Sequence, residues 1–234
     1  MDLVVDVLIP ARDEAETIAG VVRSVPRGLV REVLVVDNGS ADGTAELARE
    51  AGARVVGATA PGYGNACLAG LQALSEGDVV VFLVADGSDD PADLPAVLAP
   101  ILEGRADLVI GSRTRGRVEP GAMTRFQRAG SVFAAAVLTA RYGQVTTDLG
   151  PFRAIRRDAL EALGMRDRTY GWTIEMQIKA ARKGLRVVEV PVGWRHRQGG
   201  SPKVAGTLRG ALGATRKILS WLRGAVLGEA FDPR

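Results

Sequence analysis

The chain has 234 residues, of which 47% are hydrophobic and 24% charged, and this fits one α/β domain with a sizeable core. The single cysteine, Cys67, excludes an intramolecular disulfide, so a reducing, cytoplasmic setting is expected. We find no signal-peptide pattern and no uncharged apolar run long enough to span a membrane. The net charge of +3 fits a phosphate, a nucleic acid or an anionic lipid surface, and equally a solvated basic surface. Aromatic residues make up 5%, which argues against a single-strand nucleic-acid binder.

The first half of the chain alternates short apolar runs with helix-like segments. Because the apolar runs lack a period of two, they predict strands that are buried on both faces. The pattern therefore predicts an α/β fold with a doubly wound, mostly parallel sheet and helices on both faces. The predicted strands are 4–9, 33–36, 54–57, 79–84 and 108–110, and the predicted helices are 14–24, 42–51, 65–74 and 93–102.

The second half is less regular. It predicts helices over 125–142, over 172–183 and from 204 onward, together with a strand over 186–192. The intervening segments are a basic loop at 114–124, a turn at 146–151 and a second basic loop at 195–203.

Polar clusters follow four of the predicted strands. They are residues 10–14, 37–42, 85–90 and 111–113. In doubly wound sheets ligands bind outside the carboxyl ends of the strands, so these clusters are expected to share one site.

The acidic turn after the fourth strand contains Asp86, Asp89 and Asp90. Crowded carboxylates repel one another unless a cation lies among them, and Mg²⁺ or Mn²⁺ bound together with substrate phosphates is a natural occupant. The alternative is a turn of helix-capping aspartates.

Three other features each allow two interpretations. Asp37 ends a strand, where it could bind a base or ribose, or belong to a plain Asn-Gly turn. The segment 62–65 opens a helix whose N–H groups could face an anion, but a simple turn explains it equally. His196 is the only histidine, which excludes a two-histidine metal site; it is either an exposed loop residue or a catalytic base.

Five short motifs occur in order along the chain: VLIPARDE (7–14), VVDNGSADGT (35–44), GYGNA (62–66), GSR (111–113) and GGSPK (199–203). Together they resemble the IPARNE, VDDGSTDGT, GKGNA, GSR and GxSK elements of glycosyltransferase family 2. Within that family they resemble the polyprenyl-phosphate sugar synthases, such as the dolichyl-phosphate mannose and glucose synthases. The resemblance covers roughly residues 4–210, with Asp13 and Asn38 departing from the usual residues.

This resemblance implies a single GT-A domain over residues 1–228. Residues 1–115 would bind the nucleotide sugar, 116–202 would bind the acceptor, and 203–228 would form a C-terminal amphipathic helix. The residues implied for nucleotide-sugar binding are Pro10, Arg12, Glu14, Asp37, Gly64, Asn65, Ala85 and Asp86. The metal, Mg²⁺ or Mn²⁺, would be held by Asp86 and Ser88, and the phosphates of donor or acceptor by Arg113, Arg128, Arg197 and Lys203.

The implied reaction is an inverting transfer of a sugar from a UDP- or GDP-sugar donor, and Arg113 would stabilise the developing charge. A polyprenyl phosphate acceptor is already anionic and needs no strong base, whereas a hydroxyl acceptor would need one, for which Asp148 and Glu175 are the candidates. Val84 replaces the first Asp of the family's Asp-x-Asp motif. The alternatives are a soluble glycosyltransferase that acts on a small hydroxylated acceptor, or, because of Val84, a nucleotide-sugar-binding protein with weak activity.

The C-terminal segment carries Arg209, Arg216 and Arg223 at intervals of seven residues, so a helix would align them. Beside them runs an apolar stripe of Leu208, Leu212, Leu219, Leu222 and Val226. Basic residues beside an apolar face are typical of peripheral contact with a membrane surface, here the cytoplasmic face. The alternative is a helix packed on the domain or in a homodimer.

Overall fold

A computed structural model describes residues 3–74, 76–200 and 208–227, and these residues form one seven-stranded sheet flanked by helices. The strands are β1 Val5–Ala11, β2 Glu32–Asp37, β3 Arg54–Gly57, β4 Val79–Phe82, β5 Leu108–Ser112, β6 Arg153–Arg156 and β7 Val187–Pro191. The helices are α1 Ile18–Ser24, α2 Thr44–Glu50, α3 Tyr63–Ala73, α4 Leu94–Leu102, α5 Arg125–Tyr142, α6 Arg157–Leu163, α7 Trp172–Arg182 and α8 Leu208–Leu227.

The strand order is β3-β2-β1-β4-β6-β5-β7. Every neighbouring pair is parallel except the pairs of β6, which runs antiparallel to both β4 and β5. The predicted doubly wound, mostly parallel sheet is confirmed, and the carboxyl ends of β1, β2, β4 and β5 lie at one edge. Strand β6 and helix α6 were not predicted; a four-residue strand with arginine at both ends has no apolar pattern.

Each face of the sheet is covered by a separate apolar layer. Val7 and Ile9 of β1 pack with α1, α2 and α4 on one face. Leu8 between them packs with α3, α6 and α7 on the other. Successive strand residues point to opposite faces, so two buried faces explain why the strands lack polar alternation.

The ends of two helices show how local hydrogen bonds set the boundaries. Helix α5 begins and ends where predicted, because Thr124 and Gln127 form a capping box and Gly143 closes the helix in the left-handed conformation. Helix α1 was predicted from residue 14 but begins at Ile18. The backbone N–H of Glu14 donates instead to the hydroxyl of Thr44 (2.8 Å), which holds the first residues in a turn.

The C-terminal helix α8 packs on the domain. Its Trp221, Leu222 and Ala225 form a third apolar cluster with residues of α5 and α7. The indole N–H of Trp221 also donates to the carboxylate of Asp167 (3.0 Å). Among the described helices, none combines the length and the apolar character that crossing a membrane requires.

Candidate active site

The acidic turn after β4 lies at the carboxyl edge of the sheet. One carboxylate oxygen of Asp86 accepts hydrogen bonds from the backbone N–H (3.0 Å) and the hydroxyl of Ser88. The carbonyl of Ala85 accepts a hydrogen bond from the hydroxyl of Thr17 (2.8 Å), which ties the turn to the start of α1. Gly87 allows the turn through its positive φ of 75°. The turn therefore fixes the half-buried carboxylate of Asp86, whereas Ser88, which was predicted to bind the metal with it, is buried (2% exposed) and its hydroxyl is bonded to Asp86.

An arginine from the loop after β7 lies across this turn. The Arg197 guanidinium donates to the second carboxylate oxygen of Asp86 (3.0 Å) and to both carboxylate oxygens of Glu14. The N–H of Gln198 donates to the carbonyl of Asp86 (3.0 Å), and that of Arg195 to the carbonyl of Ser88 (2.9 Å). We call the contact of Arg197 with Asp86 and Glu14 the Arg197 clasp. It places one positive charge between two carboxylates that were both predicted to belong to the nucleotide site.

Asp89 lies beneath the same turn and is 3% exposed. One of its carboxylate oxygens accepts the backbone N–H of Val84 (3.1 Å), and the other has no hydrogen-bond partner among the described residues. Burial raises the pKa of Asp89 to about 7, and nearby Asp86 adds to the shift, while the Val84 hydrogen bond opposes it. Asp89 thus supports the turn from below and is less available than Asp86 to a ligand.

The loops after β1 and β2 are joined by hydrogen bonds. The N–H of Asp13 donates to the hydroxyl of Ser40 (2.9 Å), and Asp13 is the one non-glycine among the described residues with a positive φ, 48°. Asp37 accepts the backbone N–H of Ser40 (3.2 Å) and its hydroxyl, and its side chain remains half-buried. Pro10 is half-buried and Arg12 is exposed at the same edge. The structure therefore brings the predicted nucleotide loops together beside Asp86.

The backbone N–H groups at the start of α3 bind another segment of the chain rather than an anion. The N–H groups of Gly64 and Asn65 donate to the carbonyls of Thr169 (3.2 Å) and Arg168 (3.0 Å). A Cβ on Gly64 would lie 2.0 Å from the backbone carbonyl oxygen of Asp167. The hypothesis that these N–H groups face a phosphate is therefore wrong in this structure, since the backbone of 167–169 occupies them. Glycine is needed at 64 because another segment of chain approaches so closely.

At the carboxyl end of β5, Arg113 forms a two-pronged ion pair with the buried Asp148. The guanidinium donates through Nε and Nη2 to the two carboxylate oxygens of Asp148, at 2.8 Å each, and the backbone N–H of Arg113 donates as well (2.9 Å). Asp148 also accepts the hydroxyl of Ser131 (2.7 Å) and the N–H of Leu149 (2.8 Å), and it is fully buried. Burial disfavours its charge, but the hydrogen bonds and charge of Arg113 outweigh this and hold the pKa of Asp148 below its ordinary value.

Residues that were not predicted from the sequence hold this ion pair in place. Trp194 lies against the guanidinium of Arg113, with the ring centroid 4.8 Å from Cζ. Glu189 on β7 accepts the N–H (2.7 Å) and hydroxyl (2.6 Å) of Thr147, next to Asp148. No short motif marks these contacts, and the one available signal was a tryptophan directly before the basic loop at 195–203.

Comparison with known proteins identifies the family of this chain. The family model described as "Glycosyl transferase family 2" matches residues 6–164. This chain belongs to glycosyltransferase family 2. An uncharacterised glycosyltransferase of Mycobacterium tuberculosis is 40% identical over 211 residues, covering 89% of this chain and 93% of that protein. The undecaprenyl-phosphate mannosyltransferase of Micrococcus luteus is 34% identical over 225 residues, covering 87% of this chain and 88% of that protein.

Solved structures give the same answer for the fold. Glucosyl-3-phosphoglycerate synthase from M. tuberculosis, in complex with Mn²⁺, UDP-glucose and phosphoglyceric acid, is similar with a TM-score of 0.79 and 27% identity. The match covers 98% of this glycosyltransferase and 82% of that chain. The predicted GT-A fold is confirmed.

Glu175, predicted as a catalytic base candidate, lies inside the glycosyltransferase. It is fully buried, accepts the N–H groups of Arg166 (2.8 Å) and Asp167 (2.7 Å), and pairs with Lys179 (2.6 Å). The expectation that it meets an acceptor is corrected, because its carboxylate serves to hold the segment before α7. Helix α7 is buried on more than one side, so its spacing alone did not show that Glu175 faces the interior.

The remaining predicted residues lie at the surface or outside the described residues. Arg128 is exposed on the first turns of α5. His196 has its ring Nε2 2.9 Å from the carbonyl oxygen of Pro120, and its backbone N–H donates to Glu119 (2.8 Å), as expected for an exposed loop residue. Lys203 lies outside the described residues.

Proposed function

We propose that this glycosyltransferase moves a hexose, with inversion, from a UDP- or GDP-sugar to a polyprenyl phosphate, with Mg²⁺ or Mn²⁺, at the cytoplasmic face of a membrane. Residues 1–115 bind the donor and 116–202 the acceptor. The relative from Micrococcus luteus, named for an undecaprenyl-phosphate acceptor, supports this choice.

The observation that carries the proposal concerns the two base candidates. Asp148 and Glu175 are both fully buried, and each accepts several hydrogen bonds from the protein. The low pKa of Asp148 also makes it a poor proton acceptor. A hydroxyl acceptor needs a base to take its proton, whereas a phosphate attacks with an oxygen that is already negative. A phosphate acceptor therefore suits the site best.

The donor half supplies oxygen ligands and positive charge. Pro10, Arg12, Glu14 and Asp37 border the nucleoside, and the oxygens of Asp86 and Ser88 lie beside one another. Among the described residues no three His, Cys, Asp or Glu side chains converge on one cation. A hard cation bound through one carboxylate and the diphosphate fits that donor set, and when bound it would neutralise charge on the leaving group.

The arginines take the other part of the phosphate binding. Arg197 is positioned beside Asp86, where it can turn to the diphosphate once the donor binds. Arg113 is held rigid by Asp148 and Trp194, so it can bind a phosphate without first being ordered. Arg128 extends this positive region onto α5.

A second candidate acceptor is a small phosphorylated acid. The solved structure that matches 98% of this chain contains phosphoglyceric acid beside UDP-glucose and Mn²⁺. This alternative uses the same donor site and the same arginines, and it differs in requiring a hydroxyl to attack.

The test is a transfer assay with the full chain and two donors, UDP-glucose and GDP-mannose, in the presence of Mn²⁺. Undecaprenyl phosphate and 3-phosphoglycerate are offered as separate acceptors, and glycosylated product is measured by mass spectrometry. We expect transfer to undecaprenyl phosphate. Transfer to 3-phosphoglycerate alone would establish the second candidate, and donor binding without transfer to either would leave a nucleotide-sugar-binding protein, as Val84 allows.

Asp86→Asn provides the site control for this assay. It keeps the size of the side chain but removes the charge, and we expect kcat/KM to fall by about 100-fold or more. Asp158→Asn is the matched control, because Asp158 forms an exposed ion pair with Arg156 at the opposite edge of the sheet. Its activity should equal that of the wild type.

A further inference from the structure

We infer that the outer faces of α5 and α8 together form a docking surface for an anionic lipid bilayer. The inference deepens the proposed function and rests on it for the acceptor's location in a membrane. We call this surface the α5–α8 face. It consists of Phe126, Val132 and Phe133 on α5 with Leu219 and Val226 on α8.

Helix α5 exposes large apolar side chains on one side. Phe126 is 65% exposed and Phe133 is 57% exposed, and their spacing of seven residues places them on one stripe of the helix. Ala129 and Ala136 are exposed along the same stripe. The opposite side of α5 is buried against the domain through residues such as Leu138. This 18-residue helix is therefore apolar on its outer side as well as on its buried side. A helix side that faces only water is normally polar, so the exposed apolar side indicates a contact surface.

Helix α8 continues this apolar surface. Leu219 is 50% exposed and Val226 is 56% exposed, while Trp221 and Leu222 are buried. The buried side is fixed by hydrogen bonds and packing, so Leu219 and Val226 are held facing outward. One open groove joins the two helices, lined by Phe133, Val137, Leu219, Leu222, Arg223 and Val226. Phe133, Leu219 and Val226 therefore share one continuous surface, and Phe126 lies two helical turns further along the same stripe of α5.

The charges on these helices select the partner. Residues 125–142 and 208–227 contain seven Arg or Lys residues, three on α5 and four on α8, and no Asp or Glu. Arg125, Arg128, Arg216 and Arg223 are exposed. A second copy of the chain meeting this face would bring arginines against arginines, whereas an anionic bilayer offers opposite charge to the arginines and an apolar interior to the phenylalanines.

The face is also placed correctly for the acceptor. The hydroxyl of Ser131, on the inner side of α5, contacts Arg113 Nη2 (3.3 Å) and Asp148 (2.7 Å). The acceptor arginine and the α5–α8 face thus lie on opposite sides of one helix, whose diameter is about 10 Å. A lipid-linked phosphate leaving a bilayer docked on this face has only that distance to cover.

The test is flotation of the full chain with vesicles, without donor or metal. Vesicles of phosphatidylcholine alone are compared with vesicles containing phosphatidylglycerol. We expect the wild type to bind the anionic vesicles at least 10-fold more tightly, and the double variant Phe126→Ser/Phe133→Ser to lose at least 10-fold of that affinity. Leu29→Ser/Leu102→Ser is the matched control, because both leucines are exposed (41% and 50%) outside this face, and it should bind as the wild type does.

Three outcomes are distinguished. Equal binding by the wild type and the phenylalanine variant, with both folded by circular dichroism, overturns the inference. A wild-type dimer that dissociates in the phenylalanine variant, measured by analytical ultracentrifugation, also overturns it in favour of a second copy. Transfer to a soluble short-chain polyprenyl phosphate tests the proposed function separately, and we expect the phenylalanine variant to retain it. If vesicles bind but no polyprenyl phosphate accepts sugar, the proposed function fails and the docking surface stands.

Discussion

Replacing Asp148 by asparagine keeps the size of the side chain but removes the charge that faces Arg113. The wild-type carboxylate is fully buried and accepts three hydrogen bonds from Arg113. An asparagine side chain accepts hydrogen bonds only at its carbonyl oxygen. Its NH₂ group would face the guanidinium, which has N–H donors but no acceptor. Asp148→Asn therefore leaves a positive charge without its partner.

The expected cost follows from the burial of the pair. Removing one partner of a buried ion pair costs about 3–5 kcal/mol. The Arg113 side chain keeps 13% of its surface exposed and contacts the ring of Trp194, so water and the ring still stabilise part of its charge in the variant. We therefore expect a loss near the lower end, about 3 kcal/mol, which corresponds to a fall in Tm of about 6–12 °C for a domain of this size.

The pH dependence of this loss has a defined sign. The pKa of Asp148 is lower in the folded protein than its ordinary value, so its contribution to stability is present above the unfolded pKa and is lost as pH falls through the folded pKa. The difference in unfolding free energy between the wild type and Asp148→Asn should therefore stay constant from about pH 5 to 8 and shrink below about pH 4.

The assay is urea denaturation followed by circular dichroism, together with the pH profile of kcat/KM. Asp158→Asn is the matched control, since it breaks an exposed Arg–Asp pair and should cost about 0–1 kcal/mol. If Asp148→Asn costs no more than this control, yet removes activity and the acidic limb of the pH profile, then Asp148 is a catalytic base and our argument for a phosphate acceptor is refuted.

Three further changes test separate parts of the site. Burial raises the pKa of Asp89 above its unfolded value, so the unfolding free energy of the wild type in EDTA should decline as pH rises toward about 7. Asp89→Asn should show a smaller decline when both proteins are titrated with urea. Parallel curves of unfolding free energy against pH for the two proteins would contradict the raised pKa. Gly64→Ala places a Cβ against backbone and should cost about 2 kcal/mol in the same titrations, while Gly20→Ala, with nothing within 4 Å, should cost nothing. Arg197→Gln removes the positive charge that lies against Asp86, so calorimetry should show Mn²⁺ alone binding about 3–10-fold more tightly while kcat/KM falls; unchanged metal affinity would mean that Arg197 does not compete for the site.

The sequence determined much of the scaffold. Continuous apolar runs separated by helical segments predicted the doubly wound sheet, because burial on both faces removes polar alternation. The capping residues Thr124 and Gly143 set the ends of α5, since caps act on the backbone a few residues away. The position of Asp86 at the end of β4 predicted that it would lie at the ligand edge.

Only the tertiary structure decided which of the predicted side chains are free to act. Arg197 reaches Asp86 across 111 residues of sequence, Glu175 turns inward, and the N–H groups of Gly64 and Asn65 are taken by a segment about a hundred residues later. In the acidic turn, Asp86 stays half-buried, whereas Ser88 and Asp89 are buried and stabilise the turn itself. Spacing along a chain reports local periodicity and caps, but the burial and partners of a side chain depend on segments that meet only when the sheet is assembled.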